Sequence, residues 1–386
     1  MPRVYALLTP EVLKWAREKA GYDIETAAGI IGRDPNELIK WENGEARPTI
    51  PQARVISKKY KRPLAVFYLP EPPPKDFDIL KDFRRLPDSV SSAYSPELSF
   101  LIRDLLFQQE WVVEFKIAIE EDEELDFIGS ANTDMPSSEL ARQIRKRLNI
   151  SPQEQIRCRS QNEALRLWID RVERAGIFVC RRRDVESEEA RGVLLSNPIA
   201  PFIFINSNDS ETAQLFTLAH ELAHLWIDEP GLSNLRGIEE RPADFPVEVY
   251  CNKVAGKLLV DTDAFQKQML TYERYLSSVS DLIKGVAASF KVSREVIARR
   301  LLDNDRISLD DYRKLRRKYQ KEYMQQRGAR TTGRGNYYWS NIVQNGYAFT
   351  KTVLSAYFGK VLSGRDASDL LKVKVNNLRK LAEHAR

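Results

Sequence analysis

Two of the three histidines in this 386-residue chain stand four residues apart with a glutamate directly after the first, as His220-Glu221-Leu222-Ala223-His224. On an α-helix, positions i and i+4 share a face, so both imidazoles can offer a nitrogen to one ion while Glu221 stands beside it. Such a donor pair suits zinc, with manganese as another divalent candidate. Catalytic zinc takes three protein ligands and keeps a fourth position for water. The acids downstream that could complete the set are Asp228, Glu229, Glu239, Glu240, Asp244 and Glu248. Asp228 and Glu229, beside Pro230-Gly231, read as the end of the histidine helix. Glu248 is preferred, because it opens a second apolar helix through Val249, Cys251, Val254, Ala255, Leu258 and Leu259, which can pack on the first and aim a carboxylate at the ion. Asn252, one turn later, is placed to orient a ligand. The chemistry would be metal-assisted hydrolysis: the ion acidifies water and polarises a carbonyl, while Glu221 takes a proton as general base and returns it to a leaving amine. Tyr250 stands as a candidate for the oxyanion partner.

The elements that must hold these groups are legible around them. Apolar runs at 177–179, 193–195 and 202–205, bounded by Gly and Pro, predict three short strands. Asn206-Ser-Asn-Asp-Ser210 then predicts a turn and cap leading into a buried helix over 213–227. The strand at 202–205, just before that helix, is expected to bind an extended peptide as an added strand. Helices are expected before the sheet, with Ser95-Pro96, Ser137 or Ser138 as caps, and an acidic tract at 120–126 as a solvated loop. Helices also dominate after Pro246, with a capping box at Ser308 and Asp311 opening a basic helix.

The first seventy residues read as five short helices separated by tight turns at Gly21, Gly32 and Asn43-Gly44, with starts at Thr9-Pro10, Asp34-Pro35, Thr49 and Pro63. Short helices that cross closely at alanines are what a helix-turn-helix requires, and its third helix would enter the major groove of double-stranded DNA. There Asn36 and Lys40 can reach base edges and Arg33 and Arg47 phosphates, with Asp34 and Glu37 opposing them. The stretch 70–74, Pro-Glu-Pro-Pro-Pro, opens a stiff linker.

Net charge is +5, but it is uneven. Residues 306–335 hold ten Lys or Arg against three acids, and the first seventy hold twelve against eight, so the rest of the chain is net acidic. Nucleic acid is therefore a candidate partner of parts of the chain, including the 306–335 stripe with Tyr337-Tyr338-Trp339 behind it. A second helix-turn-helix cadence, equally readable as packing, lies at 286–300. Three cysteines in no paired spacing speak against a disulfide framework or a cysteine-ligated zinc. No apolar run approaches the length of a membrane span and the N-terminus lacks a signal-like apolar region, so the expectation is a cytoplasmic protein without membrane contact. The expected class is mainly α with a small β-sheet (α+β). Its expected order is a helix-turn-helix domain at 1–70, a linker at 71–95, a helical connector with an acidic loop at 96–135, a hydrolase domain at 136–305 and a basic helical domain at 306–386.

Phe216-Thr-Leu-Ala-His-Glu-Leu-Ala-His224, the strand ending at Ile205-Asn206, Glu248-x-x-Cys251-Asn252 and Leu258-Leu259 together resemble the ImmA/IrrE metallopeptidases, over roughly 136–305. The first seventy residues resemble the Xre-type helix-turn-helix that such peptidases often carry. Ala223 stands where glycine is common in that family, and Val260-Asp261 where Met-Pro is usual. The resemblance implies a zincin-like α+β peptidase domain that cleaves a specific repressor or antitoxin-like partner, with His220, His224 and Glu248 as metal ligands and Glu221 as the catalytic glutamate. A homodimer is compatible with this. The competing expectation is a non-catalytic transcriptional regulator or antitoxin whose metal site is structural.

Overall fold

In the computed structural model, the described residues are 5–73, 95–228, 232–233, 246–275, 278–327 and 336–385. Residues 74–94 of the expected linker, and the ligand candidates Glu229, Glu239, Glu240 and Asp244, lie outside them. The fold is mainly helical with one small sheet, as the sequence implies, and the chain divides into two compact units, Met1–Phe107 and Gln108–Arg386.

The first unit holds α1 (Pro10–Lys19), α2 (Ile24–Ile31), α3 (Pro35–Glu42), α4 (Ile50–Lys59) and, where a fifth α-helix was expected, a 3-10 turn at Leu64–Tyr68. Asp23 and Asp34 cap α2 and α3 through their carboxylates. Thr9 does not cap α1; its hydroxyl donates to Leu69 O at 2.6 Å and ties the ends of the unit together. Ala27 and Ala28 are fully buried, which lets α2 approach its neighbours closely, and Leu13, Leu38, Trp41, Ile56, Tyr60 and Phe67 fill the core. Arg17 clamps Glu42 through two bonds, at 2.8 and 3.0 Å, fixing α1 against α3. Both side chains are almost buried, and the Glu42 hydrogen bond raises the Arg17 pKa further despite that burial.

Helix α5 (Pro96–Ala118) leads into the second unit, where α6 (Ser137–Leu148), α7 (Pro152–Arg157) and α8 (Gln161–Arg174) precede the sheet. Residues 121–126 are an exposed loop, as expected. The strands are β1 (Phe178–Arg182), β2 (Gly192–Leu195) and β3 (Phe202–Asn206), joined after α9 (Glu211–Ile227) by the two-residue β4 (Leu232–Ser233). Their order is β1-β3-β2-β4, with β1 parallel to β3 and the other pairs antiparallel. Strand β3 is therefore paired on both sides, and the expectation that it accepts a substrate strand fails for want of a free edge.

Helices α10 (Pro246–Leu259), α11 (Thr262–Glu273), α12 (Val279–Phe290), α13 (Arg294–Leu302) and α14 (Leu309–Arg327) follow, then α15 (Tyr337–Asn345), α16 (Tyr347–Phe358), α17 (Gly364–Leu371) and α18 (Leu378–His384). The second helix-turn-helix cadence falls on α12 and α13, whose Ile283, Val286, Phe290, Ile297 and Leu301 are core residues, so it is packing. Helices α15 and α16 lie on β1. Gly346 between them has φ +86°, and a Cβ there would fall 2.3 Å from Val179 O. The Tyr337-Tyr338-Trp339 aromatics gather around His384, with the Tyr338 ring stacked on it at 4.9 Å.

Candidate metal centre and DNA-reading surface

Helix α9 starts where Ser210 Oγ accepts from Ala213 N and stops where Asp228 takes a left-handed conformation, φ 50°. It is wrapped by protein along nearly its whole length, since Leu215, Leu218, Leu222, Ala223 and Leu225 are all fully buried. Its last carbonyls are engaged too: Gly129 N donates to Leu225 O and Ala131 N to Trp226 O, while Phe127 stacks on Trp226 at 4.3 Å. The residues of α9 thus have little freedom to move.

Helix α10 packs along α9, as the apolar spacing requires, and delivers Glu248 from its first turn. Its far end is anchored by Arg145 of α6, which donates to Leu258 O at 2.7 Å and to Ile150 O at 3.1 Å. Gln155, itself held by Arg145 and Trp168, donates to Leu259 O at 3.0 Å and Phe290 O at 2.7 Å. Burial lowers the Arg145 pKa to about 10, still well above neutrality, so this cap stays charged.

His220, His224 and Glu248 converge, with one donor atom from each falling within 4.8 Å of the others. The two Nε2 atoms are 3.0 Å apart; Glu248 Oε2 is 3.1 Å from His220 and Oε1 is 3.2 Å from His224. Both histidines are buried, and Glu248 is nearly so. Burial would raise the Glu248 carboxyl, but hydrogen bonds and charge from both imidazoles hold it well below the usual range. Burial likewise opposes protonation of His224, yet Cys251 and Glu248 beside it move its pKa well above the ordinary value. Two imidazole nitrogens facing each other across 3.0 Å with a carboxylate alongside are a concentration of lone pairs that a cation satisfies, and two nitrogens with one oxygen are a donor set that fits zinc.

Glu221 is fully buried beside this cluster. Its carboxylate lies against the start of β2, where a Cβ on Gly192 would come 2.4 Å from Oε1 and 2.6 Å from Thr217 Cγ2. Gly192 pairs with Ile205 on one side and Ser233 on the other, so β4 runs along the sheet edge beside Glu221. Neither Gly192 nor the approach of Cys251 to His224 was anticipated. Cys251 sits three residues after Glu248 and so shares its helix face, a spacing that could have flagged it; burial raises its thiol pKa, against the pull of His224.

Asn252 stands one turn beyond Glu248 with a buried Oδ1 that accepts no hydrogen bond among the described residues. Tyr250 donates its hydroxyl to Met135 O at 2.9 Å, which commits the proton an oxyanion partner would need. Asp228 does end the histidine helix, its carboxylate accepting from Ser196 at 2.5 Å.

In the first unit the structure brings Arg33, Asn36 and Lys40 to the exposed start and flank of α3, with Arg47 exposed in the segment that follows. Glu37 approaches Arg33 no closer than 3.9 Å, a weak and solvent-screened pairing.

Residues 172–302 match the family model of the IrrE N-terminal-like domain, a peptidase family, and residues 13–67 match that of a helix-turn-helix. No curated protein and no solved structure matches the chain. The two family matches fall on the region of the histidine helix and on α1 to the 3-10 turn, and together suggest a protease-associated transcription regulator: the central region is similar to the IrrE-type peptidase domain and the N-terminal region to a helix-turn-helix.

Proposed function

We propose that the chain is a zinc-dependent endopeptidase, associated with DNA through its helix-turn-helix, that cleaves a specific repressor or antitoxin-like protein. The observation that carries this reading is the buried convergence of His220, His224 and Glu248 around one point, with Glu221 beside it. Those three residues would hold the ion. When bound, the metal supplies Lewis-acid polarisation of a peptide carbonyl and lowers the pKa of water. Glu221 takes a proton from the attacking water on its carboxylate and gives one to the leaving amine. Its lodging against Gly192 keeps that carboxylate in place through both transfers. Arg33, Asn36, Lys40 and Arg47 make the DNA contacts.

Co-expression with a candidate repressor, followed by mass spectrometry of its fragments, tests this. Wild-type chain should carry about one zinc and yield a single cleavage site. Glu221→Gln should keep the metal and the fold and abolish cleavage. Persistent cleavage by that variant sinks the assigned role, and a zinc-loaded wild type that cleaves no partner while its DNA-bound regulation survives would make the metal structural.

A further inference from the structure

The basic helix α14 is sorted by face. Tyr312 and Tyr319 are buried and turn it toward the body of its unit. On the inward flanks every charge is matched: Arg316 donates to Glu295 at 3.0 Å, Glu322 accepts from Arg294 at 2.5 Å, and Tyr323 donates to Asp209 at 2.7 Å. The outward face is different. Lys314, Arg317, Lys318 and Lys321, at helical steps of three, one and three, are all exposed and share one surface with Gln325 and with Glu322, whose carboxylate is taken by Arg294. Lys314 comes no closer to Asp311 than 3.9 Å, and among the described residues none of Arg317, Lys318 and Lys321 forms an ion pair. Four cations thus share a face where the acid that lines it, Glu322, is already paired with Arg294, a surplus of positive charge that a merely soluble helix does not need.

We propose that this face of α14 is a second nucleic-acid contact, which grips the phosphate backbone of duplex DNA without reading its sequence. At 1.5 Å per residue, Lys314 to Lys321 spans about 10 Å, over which one duplex strand presents about three phosphates. Four cations on that length match the lattice of charge they would neutralise. The exposed side chains are Lys, Arg and Gln with no apolar anchor among them, so the face lacks the aromatic or aliphatic centre that a protein interface uses and the apolar side that a membrane-lying helix needs. Duplex DNA is also the ligand brought to the chain by the helix-turn-helix, and the inference rests on that reading of residues 13–67.

The full-length chain is titrated with a mixed-sequence duplex at several salt concentrations. Each phosphate contact contributes about 0.9 to the slope of log affinity against log salt, so K314Q/R317Q/K318Q/K321Q should flatten the slope by about 3, and Lys318→Gln alone by about 0.9. Between about 50 and 200 mM salt the wild type should lose roughly a hundredfold more affinity than the quadruple variant. The charge-keeping variant K314R/K318R/K321R should retain the slope, and matching melting curves show that the fold is intact. An unchanged slope in both neutral variants, with Arg33→Gln and Lys40→Gln flattening it instead, overturns the second contact and leaves the helix-turn-helix reading standing. A wild type that binds no duplex overturns both. Capture of an acidic polypeptide by the wild type, lost in the quadruple variant while the duplex slope is unchanged, assigns the face to a protein and also overturns the proposal.

Discussion

Replacing Gly192 with alanine tests whether Glu221 is held by shape. The added methyl would lie 2.4 Å from Glu221 Oε1, 2.6 Å from Thr217 Cγ2 and 3.1 Å from Glu221 Cδ. Ordinary contact between such atoms is about 3.5–4.0 Å, so about 1 Å must be found on two sides at once. The strand cannot retreat easily, because Gly192 is paired to Ile205 and Ser233. The helix cannot either, with Leu218 and Leu222 fully buried on it. The Glu221 carboxylate is the part able to swing. Overpacking of this kind costs about 1–3 kcal/mol, a fall in Tm of roughly 2–12 °C for a unit of this size. A displacement of about 1 Å in a group that must meet a proton costs on the order of a hundredfold in rate. Zinc content should stay at the wild-type value, because no ligand is touched. The measurements are calorimetry, metal analysis and the rate of partner cleavage. Gly29→Ala is the matched control: nothing lies within 4 Å of its added methyl, and alanine in the interior of α2 should leave Tm unchanged or raise it. A Gly192→Ala protein with wild-type Tm and wild-type rate would refute the idea that this glycine sets the position of Glu221.

Metal removal should be readable without any substrate. Chelation should lower the Tm of the wild type, by an amount equivalent to about 2.7 kcal/mol where zinc is at a hundred times its dissociation constant, and a Glu248→Gln chain should show a much smaller fall; equal falls in calorimetry would remove Glu248 from the ligand set. Arg145→Met leaves Leu258 O and Ile150 O without their charged donor, and should cost about 2–4 kcal/mol in denaturant melts and weaken zinc binding, while a loss of stability with zinc affinity unchanged would uncouple the cap from the site. Glu173 makes a pH prediction. Burial pushes its carboxyl to about 7 from 4.5, against hydrogen bonds from Ala348 and its neighbours. A raised acid costs the fold nothing below its unfolded pKa. The penalty grows from about pH 4.5 and is complete above about pH 7, at roughly 3 kcal/mol. Glu173→Gln should therefore raise Tm at pH 8 and leave it nearly unchanged at pH 4.5, and an equal shift at both pH values contradicts the assignment.

The histidine helix was legible because its pattern is local: one turn of spacing, a cap before it and a left-handed stop after it. The approach of Glu248 to the two histidines was legible for a related reason, since an apolar face beginning at a carboxylate tells which way that carboxylate will be carried. The sheet was harder. Strand β1 was expected at 177–179, yet it runs to Arg182, because Arg181 and Arg182 break the apolar pattern that marks a strand. Their polarity is absorbed by partners far away in sequence: Arg182 donates to Gln108 at 3.1 Å and to Gln344 O at 3.3 Å. Asn206, read both as the first residue of a turn and as the end of the strand, is a buried strand end, donating to Val185 O and Ala190 O. No window of sequence contains both halves of such pairs. A two-residue strand such as β4 carries no periodic signal at all.

The same distinction explains the site. Ligand type can be read from sequence because it depends on chemistry, while the surroundings of a ligand depend on which backbone segment passes by. Gly192 looked like a boundary mark before a strand, and its meaning follows only from the arrival of Glu221 against it, twenty-nine residues later in the chain. Arg145 is one of three basic residues in the last turn of α6, yet it is the buried one, and it holds the end of the helix whose other end carries Glu248. Both bear on the His220, His224 and Glu248 cluster from outside it, one by excluding volume and one by fixing an axis. A search for further functional positions in chains of this kind therefore gains most at glycines opposite a general base and at buried cations on the termini of ligand-bearing helices, where a small substitution moves a reacting group without removing it.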